Sequence, residues 1–262
     1  MKYIKIPLLL IWRAWFYVLM FLGIIIMSPV LIILSSSEKL YPRFWKVVRV
    51  FSYIIIYGMG CRLKIEKEEE IEKDQSYVFC ANHTSFLDIW IMCILSKNPV
   101  VFVGKKELVK IPVFGYFYKR VVIMVDRGDA NSRRKVYGRA KKRLTNGTSV
   151  AIYPEGLVPD EGVILAPFKN GAFSLAIEHQ IPIVPQVYFD CKRSFSWNVF
   201  RGGPVTLRVK QCKFIPTKGL TLENRIQLKK EAFDLVYEEL SNDELYMKHT
   251  NEMKHERTSI NS

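Results

Sequence analysis

The chain has 262 residues, 49% of them hydrophobic, which is enough to bury one substantial core with an apolar appendage and excludes disorder over most of its length. Lysine and arginine outnumber aspartate and glutamate 39 to 25, a formal charge of +14 that calls for a polyanionic neighbour: nucleic acid, an anionic membrane or an acidic carrier protein. Five widely spaced cysteines without a Cys-x-x-Cys pair argue against a disulfide framework and a zinc site, and point to a reducing, cytosol-facing compartment.

From Ala14 to Leu34 no residue is charged, and the run has the ~20 apolar residues that a bilayer span requires. It is too long for an ordinary signal-peptide core, and no small-residue cleavage site follows it. Lys2, Lys5 and Arg13 precede the run while Lys39, Arg43, Lys46 and Arg49 follow it, so positive charge gives no preferred orientation. This predicts a helix that enters and returns or lies in one leaflet, with Gly23 and Pro29 helping the break. The next segment sets Phe44, Val47, Val48, Phe51, Ile54 and Ile55 along one helical stripe and Arg43, Lys46 and Arg49 on another face, as an interfacial helix does. Residues 1–59 are thus expected to form membrane-embedded or interfacial helices.

After an acidic, lysine-containing surface stretch from Glu66 to Lys73, apolar runs at 77–81, 100–104, 121–125, 149–153 and 183–189 read as strands. Helical patterns at 86–96, 130–145 and 170–179 lie between them. The alternation predicts an α/β domain over residues 60–241, with a largely parallel central sheet flanked by helices. A last strand-like run, Val205 to Val209, leads through Pro216 to a helix near Leu222 to Leu240. The polar segment 242–262 reads as a frayed tail.

Active groups on such a sheet gather at the C-terminal ends of the strands. His83 follows the first strand, Lys105 the second, Asp126-Arg127 the third and Pro154-Glu155-Gly156 the fourth. In the run Asn82-His83-Thr84-Ser85-Phe86-Leu87-Asp88, a base and a carboxylate stand five positions apart, which a continuous helix would separate by roughly 140°. The pair must therefore straddle a loop-to-helix junction, with Asn82, Thr84 and Ser85 suited to the free amides there and Asp88 in the first turn. Taken alone, the run is also compatible with a capped helix and a chance histidine. Lys105 and Arg127 suit an anionic head group, the arginine in bidentate fashion, or are surface charge. Glu155 can receive a hydroxyl or orient a cation where Gly156 lets backbone approach a ligand, or it marks a plain turn.

The basic stretch from Arg133-Arg134-Lys135 to Arg139-Ala140-Lys141-Lys142-Arg143 is a solvated face or a dock for anionic lipid or an acidic acyl carrier protein. Nucleic acid has no motif here beyond charge. His179, His249 and His255 lack the spacing of a metal site.

With these residues placed, the chain resembles the glycerolipid acyltransferases, most closely the bacterial 1-acylglycerol-3-phosphate acyltransferases, from about residue 60 to residue 210. Asn82 to Asp88 fits the family's N-H-x-x-x-x-D motif, whose His and Asp are its catalytic pair. Val125-Asp126-Arg127 is similar to the second motif, whose arginine helps bind the acceptor. Tyr153-Pro154-Glu155-Gly156 matches the start of the third, usually F-P-E-G-T-R, and Ile181-Pro182-Ile183-Val184-Pro185 is similar to the fourth. Leu157-Val158 stand where the family has Thr-Arg, so the arginine associated with the acceptor phosphate is missing. Lys169, within Pro167-Phe168-Lys169-Asn170-Gly171, can replace its charge, or the acceptor lacks a phosphomonoester.

The resemblance implies transfer of a fatty acyl group from an acyl-CoA or acyl carrier protein thioester to the hydroxyl of 1-acylglycerol-3-phosphate, giving phosphatidic acid. It places the protein at the cytoplasmic face of the inner or plasma membrane, with the bilayer, the lyso-lipid acceptor and the acyl carrier as partners and no nucleic acid. No cofactor beyond the thioester co-substrate, and no metal, is implied. His83 would be the general base oriented by Asp88, with Lys105, Arg127, Glu155, Gly156 and Lys169 binding substrate. Ser85 lacks a Gly-x-Ser-x-Gly elbow, so no acyl-enzyme is expected. Amides at the start of the Asp88 helix are expected to meet the developing oxyanion. Two alternatives stay open: a different lyso-lipid acceptor, for instance an amino-acid-containing one, and a non-catalytic membrane lipid-binding protein.

Overall fold

The computed structural model describes residues 2–111, 114–125, 138, 140, 143, 144 and 147–261. Helix Lys2–Leu34 (α1) runs unbroken, and the chain reverses over residues 35–40 into helix Tyr41–Gly58 (α2). The reversal was expected, but Gly23 and Pro29 do not make it; both lie inside α1. Pro29 has no amide to give the Ile25 carbonyl, and Ser28 Oγ donates to that carbonyl instead, at 2.8 Å. At Gly23 a Cβ would fall 2.1 Å from the Phe51 ring, so the glycine is what lets α1 and α2 meet. The indoles of Trp12 and Trp15 in α1 donate to the carbonyls of Met59 and Gly58, groups that the end of α2 leaves unpaired. Lys5–Leu34 is long and apolar enough to cross a membrane, and Leu8, Ile11, Phe21, Ile26 and Ile33 are exposed along it.

Among the described residues, seven strands form one sheet: Arg62–Lys67 (β1), Val78–Ala81 (β2), Val100–Lys105 (β3), Val122–Val125 (β4), Ser149–Ile152 (β5), Ile183–Tyr188 (β6) and Thr206–Gln211 (β7). Their order is β1-β7-β6-β2-β5-β3-β4. All neighbours pair in parallel except β6 with β7, so the largely parallel sheet expected from the alternation is present. Helices Leu87–Leu95 (α3), Phe114–Val121 (α4), Gly171–His179 (α5), Cys191–Ser194 (α6), Arg225–Ser241 (α7) and Glu244–Asn261 (α8) are the other α-helices among the described residues.

Side chains alternate across the sheet and divide the core in two. Val78, Cys80, Val150, Ile183 and Val187 pack with Phe173, Ala176, Leu228 and Val236 from α5 and α7. Phe79, Ala81, Ala151 and Val184 pack on the other face with Trp45, Ile55, Leu87 and Ile91 from α2 and α3. Part of the stripe read as facing a membrane interface is therefore core: Phe44, Phe51 and Ile55 are buried while Ile54 is exposed. Trp45 Nε1 donates to the Ser96 carbonyl at 3.0 Å and Tyr41 Oη to that of Val100 at 2.7 Å, fixing α2 to the body.

Two elements differ from expectation. The charged stretch after Cys61 begins with β1, an edge strand in which Arg62, Lys64 and Glu66 are exposed, so no apolar alternation announces it. The segment past Ser241 is not frayed but folds as α8. Tyr246 and Thr250 are buried there, Tyr246 Oη donates to the Ile164 carbonyl at 2.6 Å, and the buried Lys192 Nζ donates to Thr250 Oγ1 at 2.6 Å. Most of the basic stretch 133–143 lies outside the described residues. Hydrogen exchange tests the docking of α8: amides from Tyr246 to Thr250 should exchange roughly a hundredfold or more slower than a free tail, and exchange at the intrinsic rate would contradict it.

Candidate active site

Strand β2 ends at Ala81, and Asn82 locks that end to β6. Its amide donates to the Tyr188 carbonyl at 3.0 Å and accepts from the Tyr188 amide at 2.8 Å. The chain then turns through His83, Thr84 and Ser85 into α3, whose first turn carries Asp88. Asp88 is fully buried, and its Oδ2 accepts from His83 Nδ1 at 2.9 Å, from the Thr84 amide at 2.6 Å and from the Ser85 amide at 2.8 Å. One oxygen thus both caps the turn and holds the imidazole. Since Oδ2 already accepts two backbone N–H bonds, it is placed to accept a third from Nδ1, an arrangement that in a neutral ring leaves Nε2 as the acceptor. The His83 side chain is 20% exposed and stacks on the Tyr153 ring, centroids 4.1 Å apart.

Glu155 follows β5, the neighbour of β2, and is buried. Its Oε1 accepts from the His83 amide at 2.7 Å and its Oε2 from the Ala166 amide at 2.8 Å. Burial pushes this carboxyl up to about 7, against the pull of those two bonds. The carboxylate is thus spent on backbone behind the imidazole. Gly156 has φ +73°, and a Cβ there would lie 2.9 Å from both Cδ and Nζ of Lys169, so the exposed lysine lies directly over the glycine. The Lys169 amide donates to the Pro154 carbonyl at 2.8 Å, which closes this turn. Leu157 beside it is 49% exposed.

His83, Asp88, Glu155, Gly156 and Lys169 are therefore gathered by two adjacent strand ends. Lys105 closes β3, two strands from β2, and its side chain lies outside the described residues. Arg127 lies outside them altogether, beyond the end of edge strand β4. At ~4.8 Å per strand, the ends of β3 and β4 stand roughly 10 Å and 14 Å from that of β2. Of the amides at the start of α3, five are engaged within the fold: that of His83 by Glu155, those of Thr84 and Ser85 by Asp88, that of Leu87 by Ser85 Oγ, and that of Asp88 by the Ser85 carbonyl.

Beside the turn lies a cleft of about 340 Å³, lined by Leu10, Arg13, Ala14 and Tyr17 of α1 and by Phe86, Phe195 and Trp197. It reaches the His83 turn through Phe86 rather than through His83 itself. Tyr153 and Trp197 were missed as site residues: Tyr153 reads as one more strand hydrophobe, and Trp197 is brought in only by tertiary folding. The five cysteines are all buried, and none forms a disulfide. Burial pushes the Cys80 and Cys93 thiols up to about 12; burial and then the Asp88 carboxylate push Cys191 well above the usual thiol range. Among the described residues no group of three His, Cys, Asp or Glu side chains is arranged to hold a metal.

A family model described as Acyltransferase matches residues 62–189, which include both strand ends. The chain is 34% identical over 182 residues to 1-acyl-sn-glycerol-3-phosphate acyltransferase beta of Homo sapiens, covering 66% of this chain and 62% of that protein's length. It is 31% identical over 198 residues to an uncharacterized acyltransferase of Schizosaccharomyces pombe, covering 70% and 68%. Against the 1-acyl-sn-glycerol-3-phosphate acyltransferase of Limnanthes douglasii the identity is 29% over 172 residues, covering 65% and 60%. The fold is similar to the crystal structure of the 1-acyl-sn-glycerophosphate (LPA) acyltransferase, PlsC, from Thermotoga maritima. The TM-score is 0.75 at 21% identity, over 92% of this chain and 97% of that one.

The Glu155 clamp yields a stability prediction. Glu155→Gln puts an amide nitrogen where one carboxylate oxygen accepts, so one backbone N–H loses its acceptor at a cost of about 1–3 kcal/mol in denaturant unfolding. The pH dependence has a defined sign. With the folded carboxyl near 7 and the unfolded one near 4.5, the folded chain holds the extra proton between these values, and stability falls as pH rises through that window. Glu155→Gln should remove that part of the slope; an unchanged slope and midpoint would contradict the clamp.

Proposed function

The chain belongs to the acyltransferase family, and from that membership we propose that it acylates the free hydroxyl of 1-acylglycerol-3-phosphate from a fatty acyl thioester, giving phosphatidic acid. The observation that carries this reading is the imidazole of His83, held through Nδ1 by buried Asp88 with Nε2 left to act. Nε2 takes the proton of the acceptor hydroxyl as its oxygen attacks the thioester carbonyl carbon. The tetrahedral adduct collapses, the C–S bond breaks, and the sulfur leaves with the electron pair and receives the proton from His83. Asp88 stabilises the intervening imidazolium without itself taking the proton. An attacking thiolate from Cys80, Cys93 or Cys191 is disfavoured by the raised thiol pKa values, and Ser85 Oγ donates to the Phe195 carbonyl at 3.0 Å, so direct transfer is favoured.

Lys169 over Gly156 supports a phosphomonoester on the acceptor, since it brings an ammonium to the turn that lacks the family's arginine. The relatives named 1-acyl-sn-glycerol-3-phosphate acyltransferase support the same acceptor. Lys105, the last residue of β3, and Arg127, which follows β4 in sequence, are further candidate cations for this head group. The exposed apolar side chains of α1 support seating in a bilayer, with the α/β domain on its cytoplasmic side and acyl-CoA or acyl carrier protein delivering the donor. Leu157-Val158 favour one second reading, a lyso-lipid acceptor without a phosphomonoester.

The test is turnover with a long-chain acyl thioester and a panel of lyso-lipids, products identified by mass. His83→Ala should lose about a hundredfold or more in kcat with the fold intact. Lys169→Ala should raise the KM for lysophosphatidate about tenfold and leave a phosphate-free acceptor unaffected. Near-normal turnover without His83 would refute the mechanism, and acylation confined to phosphate-free acceptors would replace the first reading by the second.

A further inference from the structure

Trp197, 113 positions beyond Thr84, donates its indole Nε1 proton to the Thr84 carbonyl at 3.1 Å. That carbonyl and the Ser85 N–H belong to one planar peptide group, and the Ser85 N–H donates to Asp88 Oδ2 at 2.8 Å. The peptide is therefore gripped at both ends, by the indole on its oxygen and by the carboxylate on its nitrogen. The Trp197 ring also packs on Phe86, centroids 4.9 Å apart. The residue is 49% exposed, so apolar burial alone does not account for its placement.

The loop that carries it is itself anchored. Glu161 Oε1 accepts from the Trp197 amide at 2.5 Å and from Ser196 Oγ at 2.7 Å. From α1, the buried Arg13 donates to the carbonyls of Ser196 and Arg201, with its guanidinium 4.4 Å from the centre of the Phe195 ring. One charge of the apolar helix thus reaches through this loop to the turn that holds His83.

We infer that Trp197 is a positioning residue for the His83–Asp88 pair, orienting the peptide between Thr84 and Ser85, and that Arg13 of α1 seats it. The inference rests on the proposed role of that pair. A carbonyl that accepts a hydrogen bond makes the N–H of its own peptide a stronger donor, so the indole strengthens the bond from Ser85 to Asp88. Removing it leaves more of the carboxylate's charge to act on the imidazolium, and the acid limb of the kcat profile moves to higher pH. Among the described residues, the titratable groups around the pair are Glu155, Tyr153, Tyr188, Cys191 and Tyr246, none of them on the Trp197 loop, so each is kept in the variant.

The experiment uses the full chain in phospholipid vesicles, with His83→Ala assayed in parallel. Trp197→Phe keeps a ring against Phe86 and removes the N–H. It should lower kcat about fivefold to tenfold, a loss of the size expected for one hydrogen bond, leave both KM values within about twofold, and raise the acid limb. Trp197→3-benzothienylalanine, which keeps the indole's shape with sulfur for N–H, gives the same readout if the phenylalanine variant is unstable. Arg13→Met should lower kcat in the same sense. If either Trp197 variant keeps wild-type kcat and pH profile while His83→Ala is inactive, the inference falls and the role of His83 stands. A raised KM at unchanged kcat would make Trp197 a substrate contact and also overturn it. Turnover persisting in His83→Ala would defeat the underlying function instead.

Discussion

Asp88 Oδ2 is buried and accepts three hydrogen bonds, two from backbone and one from an imidazole, and the arrangement of the site follows from that burial. A carboxylate out of water is tolerated only where donors surround it, so the chain must bend until the amides of Thr84 and Ser85 face back toward α3. That bend sets where His83 emerges and which of its nitrogens is held. A second buried carboxylate, Glu155, grips the same turn from the other end through the His83 amide. The turn is thus clamped from its own helix and from the neighbouring strand end, which confines the ring through its backbone as well as its side chain.

The fold brings these clamps together cheaply. Strand β2 lies between β6 and β5, so Asn82 can bond to Tyr188 on one side while Glu155 reaches across from the other. Helix α1 approaches the same end of the sheet, where Arg13 binds the 195–201 loop and Trp12 and Phe16 pack on Phe195. A helix rich in exposed apolar side chains therefore stands beside the turn that carries the imidazole.

The sheet and the His83–Asp88 junction were legible because both rest on short-range pattern: apolar runs alternating with helical ones, and a seven-residue motif that a continuous helix cannot satisfy. Features that depend on distant partners were not. Gly23 looked like a break because its partner, Phe51, is on another helix, whereas Pro29 looked like one although the neighbouring Ser28 hydroxyl meets the carbonyl it strands. Strand β1 hid in a charged stretch that needs burial only along one edge. In α8 the buried residues are too sparse among polar ones to mark a face. Glu155 beside a glycine resembles a ligand-binding carboxylate until its burial and two amide donors are known, and Arg13 resembles a flanking charge until its carbonyl partners are.

The central claim is that Asp88 fixes His83 in the tautomer that leaves Nε2 basic. Long-range proton–nitrogen NMR of the full chain, 15N-labelled at histidine and reconstituted in detergent micelles, measures this directly. Neutral His83 should carry its proton on Nδ1 with Nε2 unprotonated; a neutral ring protonated on Nε2 would contradict the account.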